Sequence, residues 1–349
     1  MRSFAFAVLT VALPLAGVAA EGFVRVEKTG PGWTFVDGSG VPFVNRGVGW
    51  VSVKGPQNVR TKVSAYRETC RGKYPQAGDW EKATVARMRD WGFNTFGSDS
   101  SPTLRGRGLR HTILVRMGAA PATWKRDPDD YICPHAGHPC SAFPNVFSPK
   151  FGAFCDEVAA RMCRPNRDDR DLTGYFIDNE LAWWGASTNK VRDGVGLVDA
   201  VLALPGGHSA KKALERFVAA RGERAEDVSL RTKEAFLSEI AERYFAETCA
   251  AIRRADPNHL VLGCRFAGLF GAHPLVWKAA GRHVDVVTVN VYPTVDFRSG
   301  RFSSRKGKGW VDTFETLEAL QRLADRPVMV TEWSFPAKDT GHPCRRGAG

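Results

Sequence analysis

Short apolar, β-branched runs alternate with longer amphipathic stretches along most of this chain. Strand-like runs occur at Pro42 to Val48, Phe93 to Phe96, Arg110 to Met117 and Leu172 to Ile177, then in HLVLGCRF (259–266), VDVVTVNVYP (284–293) and RPVMVTEWS (326–334). Between them lie helical patterns: Asp79 to about Trp91, broken by Gly92; Pro149 to Cys163; a long one beginning at Leu230 and ended by Asp256 and Pro257; and Thr313 to Ala324. Repeated βα units with apolar strands predict a parallel sheet covered by helices, and seven in a row favour a barrel over a doubly wound sheet. No glycine-rich phosphate fingerprint follows the first strand, which disfavours a nucleotide-binding domain. The expected fold class is thus α/β, a (β/α)8 TIM barrel. No apolar run follows Ser334, so the barrel is expected to lack its eighth βα unit.

The expected domain plan has four parts. Residues 1–20 read as an export signal, with Arg2, an apolar run, and Val18, Ala19 and Ala20 at the cleavage site. Residues 21–41 read as a small β-hairpin around the turn Asp37 to Gly40. Residues 42–349 form the barrel domain, with a helical insert at about 185–228. Cleavage after Ala20 would make the protein secreted or periplasmic, with no membrane span in the mature chain.

Polar residues close three of the apolar strands. The fourth ends in Asp178, Asn179 and Glu180, the sixth in Asn290 and Tyr292, and the seventh in Thr331 and Glu332, followed by Trp333. Functional groups of such barrels gather at the carboxyl ends of the strands. Period-two alternation places Thr288, Asn290 and Tyr292 on one face of the sixth strand, and Val328, Val330 and Glu332 on one face of the seventh. Two carboxylates flanking one bond are what glycoside hydrolysis requires. Tryptophans beside them suit the apolar faces of sugar rings.

The Asp-Asn-Glu at the end of the fourth strand and the Thr-Glu-Trp at the end of the seventh resemble the signature of the retaining glycoside hydrolases of clan A. With GYFIDNELAWW, DPNHLVLGCRFA, VDVVTVNVYP and RPVMVTEWSF, the stretch from Gly32 to Pro336 is similar to the beta-agarase family, glycoside hydrolase family 50, and its bacterial relatives. That resemblance implies Glu180 as general acid/base, Glu332 as nucleophile and Asn179 as hydrogen-bond partner of the sugar 2-hydroxyl. It implies Tyr292 as the residue that orients Glu332, and Trp183, Trp184 and Trp333 as sugar platforms, with Asn290, Arg46 and Asn94 as further substrate contacts. The implied substrate is a β-linked galactan such as agarose, without cofactor or metal.

Composition narrows the alternatives. The formal charge of +12 suits acidic polysaccharide, but the basic residues are scattered and no nucleic-acid-binding signature is present. The loop CPHAGHPC could offer Cys133, His135, His138 and Cys140 to zinc; in an exported chain a local Cys133–Cys140 disulfide is the favoured reading. Cys155 and Cys163 read as buried helix residues, and RSGRFSSRKGKG (298–309) reads as solvated loop. Rival functions are a β-galactosidase, a β-mannanase or cellulase of the same clan, a carbohydrate-binding pseudoenzyme, and, more distantly, a metal hydrolase using His135 and His138.

Overall fold

The computed structural model describes residues 22–30, 32–55, 57, 60–118, 127–133, 142–185 and 195–334. The stretch read as an export signal, His135, His138 and Cys140, and the segment beyond Ser334 lie outside the described residues.

The chain enters through an antiparallel sheet of β1 (Arg25–Thr29), β2 (Gly32–Val36) and β3 (Pro42–Phe43). The turn at Asp37 to Gly40 therefore joins β2 to β3, and the first predicted barrel strand is divided. Its front half stays in this small sheet, and only β4 (Gly47–Val48) joins the parallel one. Helices α1 (Ala65–Lys73) and α2 (Asp79–Asp90) lead to β5 (Thr95–Phe96), and a single 3-10 turn at Pro102–Leu104 leads to β6 (Arg110–Leu114). A short antiparallel pair, β7 (Tyr131–Cys133) and β8 (Phe143–Pro144), precedes α3 (Phe151–Met162) and β9 (Leu172–Phe176). Then come α4 (Gly196–Leu202), α5 (Ser209–Ala219) and the long α6 (Leu230–Ala255), followed by β10 (Leu260–Val261) and β11 (Phe266–Ala267). Helix α7 (Pro274–His283) leads to β12 (Val287–Asn290). The segment read as solvated loop instead contributes to an antiparallel sheet of β13 (Thr294–Asp296), β14 (Arg301–Lys306) and β15 (Gly309–Asp312), anchored by Phe302 against Phe314 at 5.0 Å. Helix α8 (Thr313–Ala324), capped by the Asp312 carboxylate, leads to β16 (Val328–Glu332).

The parallel strands pair in two sheets, β4-β5-β6-β9-β10 and β11-β12-β16. They meet along residues 260–267, because Leu260–Val261 pairs back to β9 while Phe266–Ala267 pairs forward to β12. This is a curved α/β sheet of seven strand positions. Among the described residues it does not close into a ring, and β4 and β16 are its edges. Asn45 Nδ2 reaches across the gap to the Met329 sulfur at 3.4 Å.

Alternation along these strands makes two cores. Leu114, Phe176, Leu262 and Val286, with Met329, fill the concave side together with Val24 and with Val26, Phe35 and Phe43 of the entry sheet. Ile113, Tyr175, Val261, Val287 and Val289 face the helices, where α3, α6 and α7 supply most of the larger core. Arg110 pairs with Asp37, and Lys28 with Asp325, so the entry sheet is tied to the amino-terminal ends of β6 and β16. The carboxyl ends lie opposite. All six described cysteines, Cys133 included, are free and buried; Cys140, the partner expected for Cys133, lies outside the described residues. Burial alone pushes the Cys133 thiol up to about 12, out of the reactive range.

Candidate active site

Beyond β9 the backbone turns sharply at Glu180, which takes a left-handed φ of 51° and donates its N–H to the Arg265 carbonyl at 3.1 Å. The half-buried Glu180 carboxylate accepts from Asn290 Nδ2 at 2.8 Å. The same amide nitrogen reaches Asn179 Oδ1 at 3.2 Å, and Asn290 Oδ1 accepts from the Thr331 hydroxyl at 2.8 Å. Both ends of the Asn290 amide are thereby fixed, in a residue that is 1% exposed.

Glu332 reaches the same neighbourhood by a route that strand alternation does not give. Val287, Thr288 and Val289 pair with Val328, Met329 and Val330 one to one, but Asn290 pairs with Glu332. Thr331 is the extra residue of a β-bulge. Val328 and Val330 pack toward the helices, so regular alternation would have turned Glu332 that way too. The bulge brings it round to the side of its partner Asn290, and the expectation that Val328, Val330 and Glu332 share a face is corrected.

Once there, Glu332 is paired on both oxygens. Arg265 Nη2 donates to Oε1, and the Tyr292 hydroxyl donates to Oε2 at 2.6 Å. Arg265 is 1% exposed, its backbone is left-handed at φ 47°, and its N–H is held by the Thr288 hydroxyl at 2.9 Å. Burial pulls its pKa down; Glu332 first, then Asp99, Glu180 and Tyr292, act in the opposite sense. Burial and the bond to Glu332 raise the Tyr292 phenol, keeping it a donor. Asn290 and Tyr292 stand two residues apart, about 6.6 Å along an extended chain. Each grips one of the two carboxylates, so the pair converges over the end of the sixth strand position.

The other predicted residues are placed as follows. Asp178 is fully buried behind the site, accepting from Gly118 N at 2.5 Å and from the Tyr244 hydroxyl of α6 at 2.6 Å. A Cβ at Gly118 would stand 2.9 Å from that carboxylate oxygen, which explains the glycine. Trp184 is half-buried in the turn after β9, and Trp333 is exposed just beyond β16. Trp183 is 1% exposed, packed among Phe143, Tyr244, Phe245 and Phe266 with centroids 4.7 to 6.3 Å away. It has no face to offer a sugar, and its assignment as a platform is withdrawn. Arg46 and Asn94 precede β4 and β5: Asn94 accepts from Arg46 N at 2.9 Å and donates to Val44 O at 2.8 Å. They stitch the amino-terminal ends of these strands, opposite the carboxylates, and are not substrate contacts.

Sequence reading missed Arg265, whose signal was a lone cation within an apolar strand run. It also missed Trp50, Asp99 and Arg116. These three, with Glu180 and Arg265, make five of the seven described non-glycine residues with left-handed backbone, and all five lie at carboxyl ends of parallel strands. Backbone strain of this kind gathers at functional sites. Among the described residues no group of three or more His, Cys, Asp or Glu side chains could hold a metal ion, and no helix is long and apolar enough to cross a membrane.

No protein-family model matches the chain. Over 332 residues it is 28% identical to Beta-agarase A of Vibrio sp. (strain JT0107), covering 86% of this chain and 31% of that protein. Over 293 residues it is 26% identical to Beta-agarase B of the same organism, covering 75% of this chain and 28% of that protein. The chain thus spans about a third of the length of the curated relatives it matches. Among solved structures, an agarase, AgWH50C, matches with a TM-score of 0.71 at 23% identity, over 94% of this chain and 52% of that one. An exo-beta-agarase matches with a TM-score of 0.68 at 19% identity, over 94% and 55%. At these identities the likeness is one of fold: this mixed α/β architecture is shared with agarase structures.

Proposed function

We propose that this chain carries the catalytic site of a beta-agarase-type glycoside hydrolase that cleaves β-linked galactan by double displacement, with Glu332 as nucleophile and Glu180 as acid/base. The observation that carries the reading is the convergence of two carboxylates at the end of one strand position. Glu332 receives a guanidinium and a phenol, and Glu180 accepts from the Asn290 amide. An anionic nucleophile belongs beside a cation. The likeness to two beta-agarases supports the agarase family and leaves the clan unsupported.

In the first step a Glu332 oxygen attacks the anomeric carbon as the glycosidic bond breaks, and Glu180 gives its proton to the departing oxygen. In the second, Glu180 takes a proton from water, the oxygen of that water attacks the anomeric carbon, and the Glu332 ester is released. In this reading Asn179, held by Asn290, meets the 2-hydroxyl, and Tyr292 and Arg265 keep Glu332 aimed. An export signal ending at Ala20 would deliver such an enzyme to its polysaccharide; amino-terminal sequencing of the exported protein should begin at Glu21.

The test is reducing-sugar release from agarose by the parent chain, Glu332→Gln and Glu180→Gln. Each variant should lose on the order of 10³-fold or more while keeping its circular dichroism. The anomer first released by the parent, read by NMR, should retain the β configuration. Full activity in Glu332→Gln would overturn the assignment, and sugar binding without any hydrolysis by the parent would mark a pseudoenzyme.

A further inference from the structure

Three neighbouring strand positions end in strained residues that the mechanism above does not use. Trp50 lies two residues past β4 with φ 60°, Asp99 three past β5 with φ 60°, and Arg116 two past β6 with φ 66°. β4, β5 and β6 are consecutive and parallel, so all three residues stand at the carboxyl end, the end that bears Glu180 and Glu332. Arg116 Nη2 bonds Asp99 Oδ1 at 2.9 Å, with the side chains 42% and 22% accessible. A half-exposed ion pair returns little stability, whereas left-handed backbone at non-glycine residues is costly. The fold does not need this pair.

Trp50 makes the same point. It is 70% exposed, yet its backbone is fixed: Trp50 N donates to Ser98 O at 3.0 Å, and Ser101 N to Val51 O at 2.8 Å. A water-facing indole on a fixed backbone offers its face to a ring at little cost in backbone ordering. The local group lies close to the reacting centre, since Asp99 acts electrostatically on Arg265, the partner of Glu332.

We infer that Trp50, Asp99 and Arg116 form a sugar-binding subsite beside the carboxylate pair, with Trp50 offering its face to a pyranose ring, Asp99 accepting from a hydroxyl and Arg116 donating to a ring or hydroxyl oxygen. The inference rests on the glycosidase reading and adds to it the side of the site along which the glycan runs. The ligand is a neutral, hydroxyl-bearing oligosaccharide several residues long.

The test uses the Glu332→Gln chain, in which binding is read apart from cleavage, titrated with a ladder of agaro-oligosaccharides by calorimetry and tryptophan fluorescence. Into it go Asp99→Asn and Trp50→Asn, asparagine being among the non-glycine residues that tolerate left-handed backbone. Trp91→Ala, another exposed tryptophan, at the end of α2, is the control. Each subsite variant should bind the longer oligosaccharides about tenfold more weakly with unchanged circular dichroism, and the control should bind as the parent does. If the parent cleaves agarose and both subsite variants bind like Glu332→Gln alone, the subsite is overturned and the glycosidase reading stands. If the parent binds but does not cleave, and the variants weaken binding, the subsite stands and the enzymatic reading fails. Absence of both cleavage and binding overturns the two together.

Discussion

At the scale of single residues, the proposed chemistry turns on two glutamates, Glu332 held by Arg265 and Tyr292 and Glu180 by Asn290. Tyr292 is the most accessible handle on that arrangement, because its hydroxyl meets Glu332 at 2.6 Å while its ring remains partly in solvent. Tyr292→Phe removes a hydrogen bond to a charged group and little packing. Such bonds are worth about 1.5–3 kcal/mol, so kcat should fall roughly 10- to 100-fold while the urea midpoint hardly moves. A large stability loss with kcat intact would show that Tyr292 is a packing residue. Arg265 is a less forgiving site. Removing a buried cation leaves Glu332 without its cationic partner, so stability and activity would fall together.

At the scale of elements, the deciding feature is the bulge in β16. Two valines there face the helices, and one extra residue, Thr331, rotates the next side chain to the opposite side. The same threonine donates to Asn290 Oδ1 at 2.8 Å and lies 3.2 Å from Val289 O, so it also locks the amide that serves Glu180. Thr331→Val keeps the shape and loses the hydroxyl. We expect the Asn290 amide to lose its orientation and kcat/KM to drop about tenfold, roughly 1.4 kcal/mol. Unchanged kinetics would mean that backbone geometry alone holds the bulge. Asn179 and Glu180 owe their position to an equally local event, the left-handed turn at the end of β9.

At the scale of the whole molecule, the entry sheet ties the amino-terminal ends of the strands, opposite the carboxyl ends that bear Glu180 and Glu332. Near those tied ends sits His111, 3% exposed, with both ring nitrogens lacking a hydrogen-bond partner among the described residues. Burial first, then Arg105 and His259, lower its pKa to about 4, with Asp169 at 3.5 Å working in the opposite sense. In the unfolded chain a histidine titrates near 6.5. Between those values the unfolded chain holds a proton that the folded one refuses, so stability must fall as pH drops from about 6.5 towards 4 and be complete above that window. The loss between pH 7.5 and 4.5 should be about 2–3 kcal/mol. Urea unfolding at both pH values, for the parent and for His111→Gln, checks this: the variant should lose that much less on acidification. Equal losses would show that His111 titrates normally.

The sequence alone determined what local pattern can determine. Helix α8 spans Thr313 to Ala324, and α6 stops before Asp256 and Pro257, because periodicity, capping and proline act within a turn or two of chain. Glu180 and Glu332 stood out for a similarly local reason, as acids at the ends of apolar runs. What only the tertiary structure decided is orientation and company. Alternation sends Glu332 to the helices until the pairing with β12 forces a bulge, and Trp183 looks like a sugar platform until α6 packs Tyr244 and Phe245 against it. Arg46 and Asn94 look like strand ends until the register shows that the strands begin after them. Arg265 looks like one of many basic residues until a carboxylate 67 residues further on is folded against it. In each case the deciding contact joins residues far apart in sequence, where local periodicity carries no information.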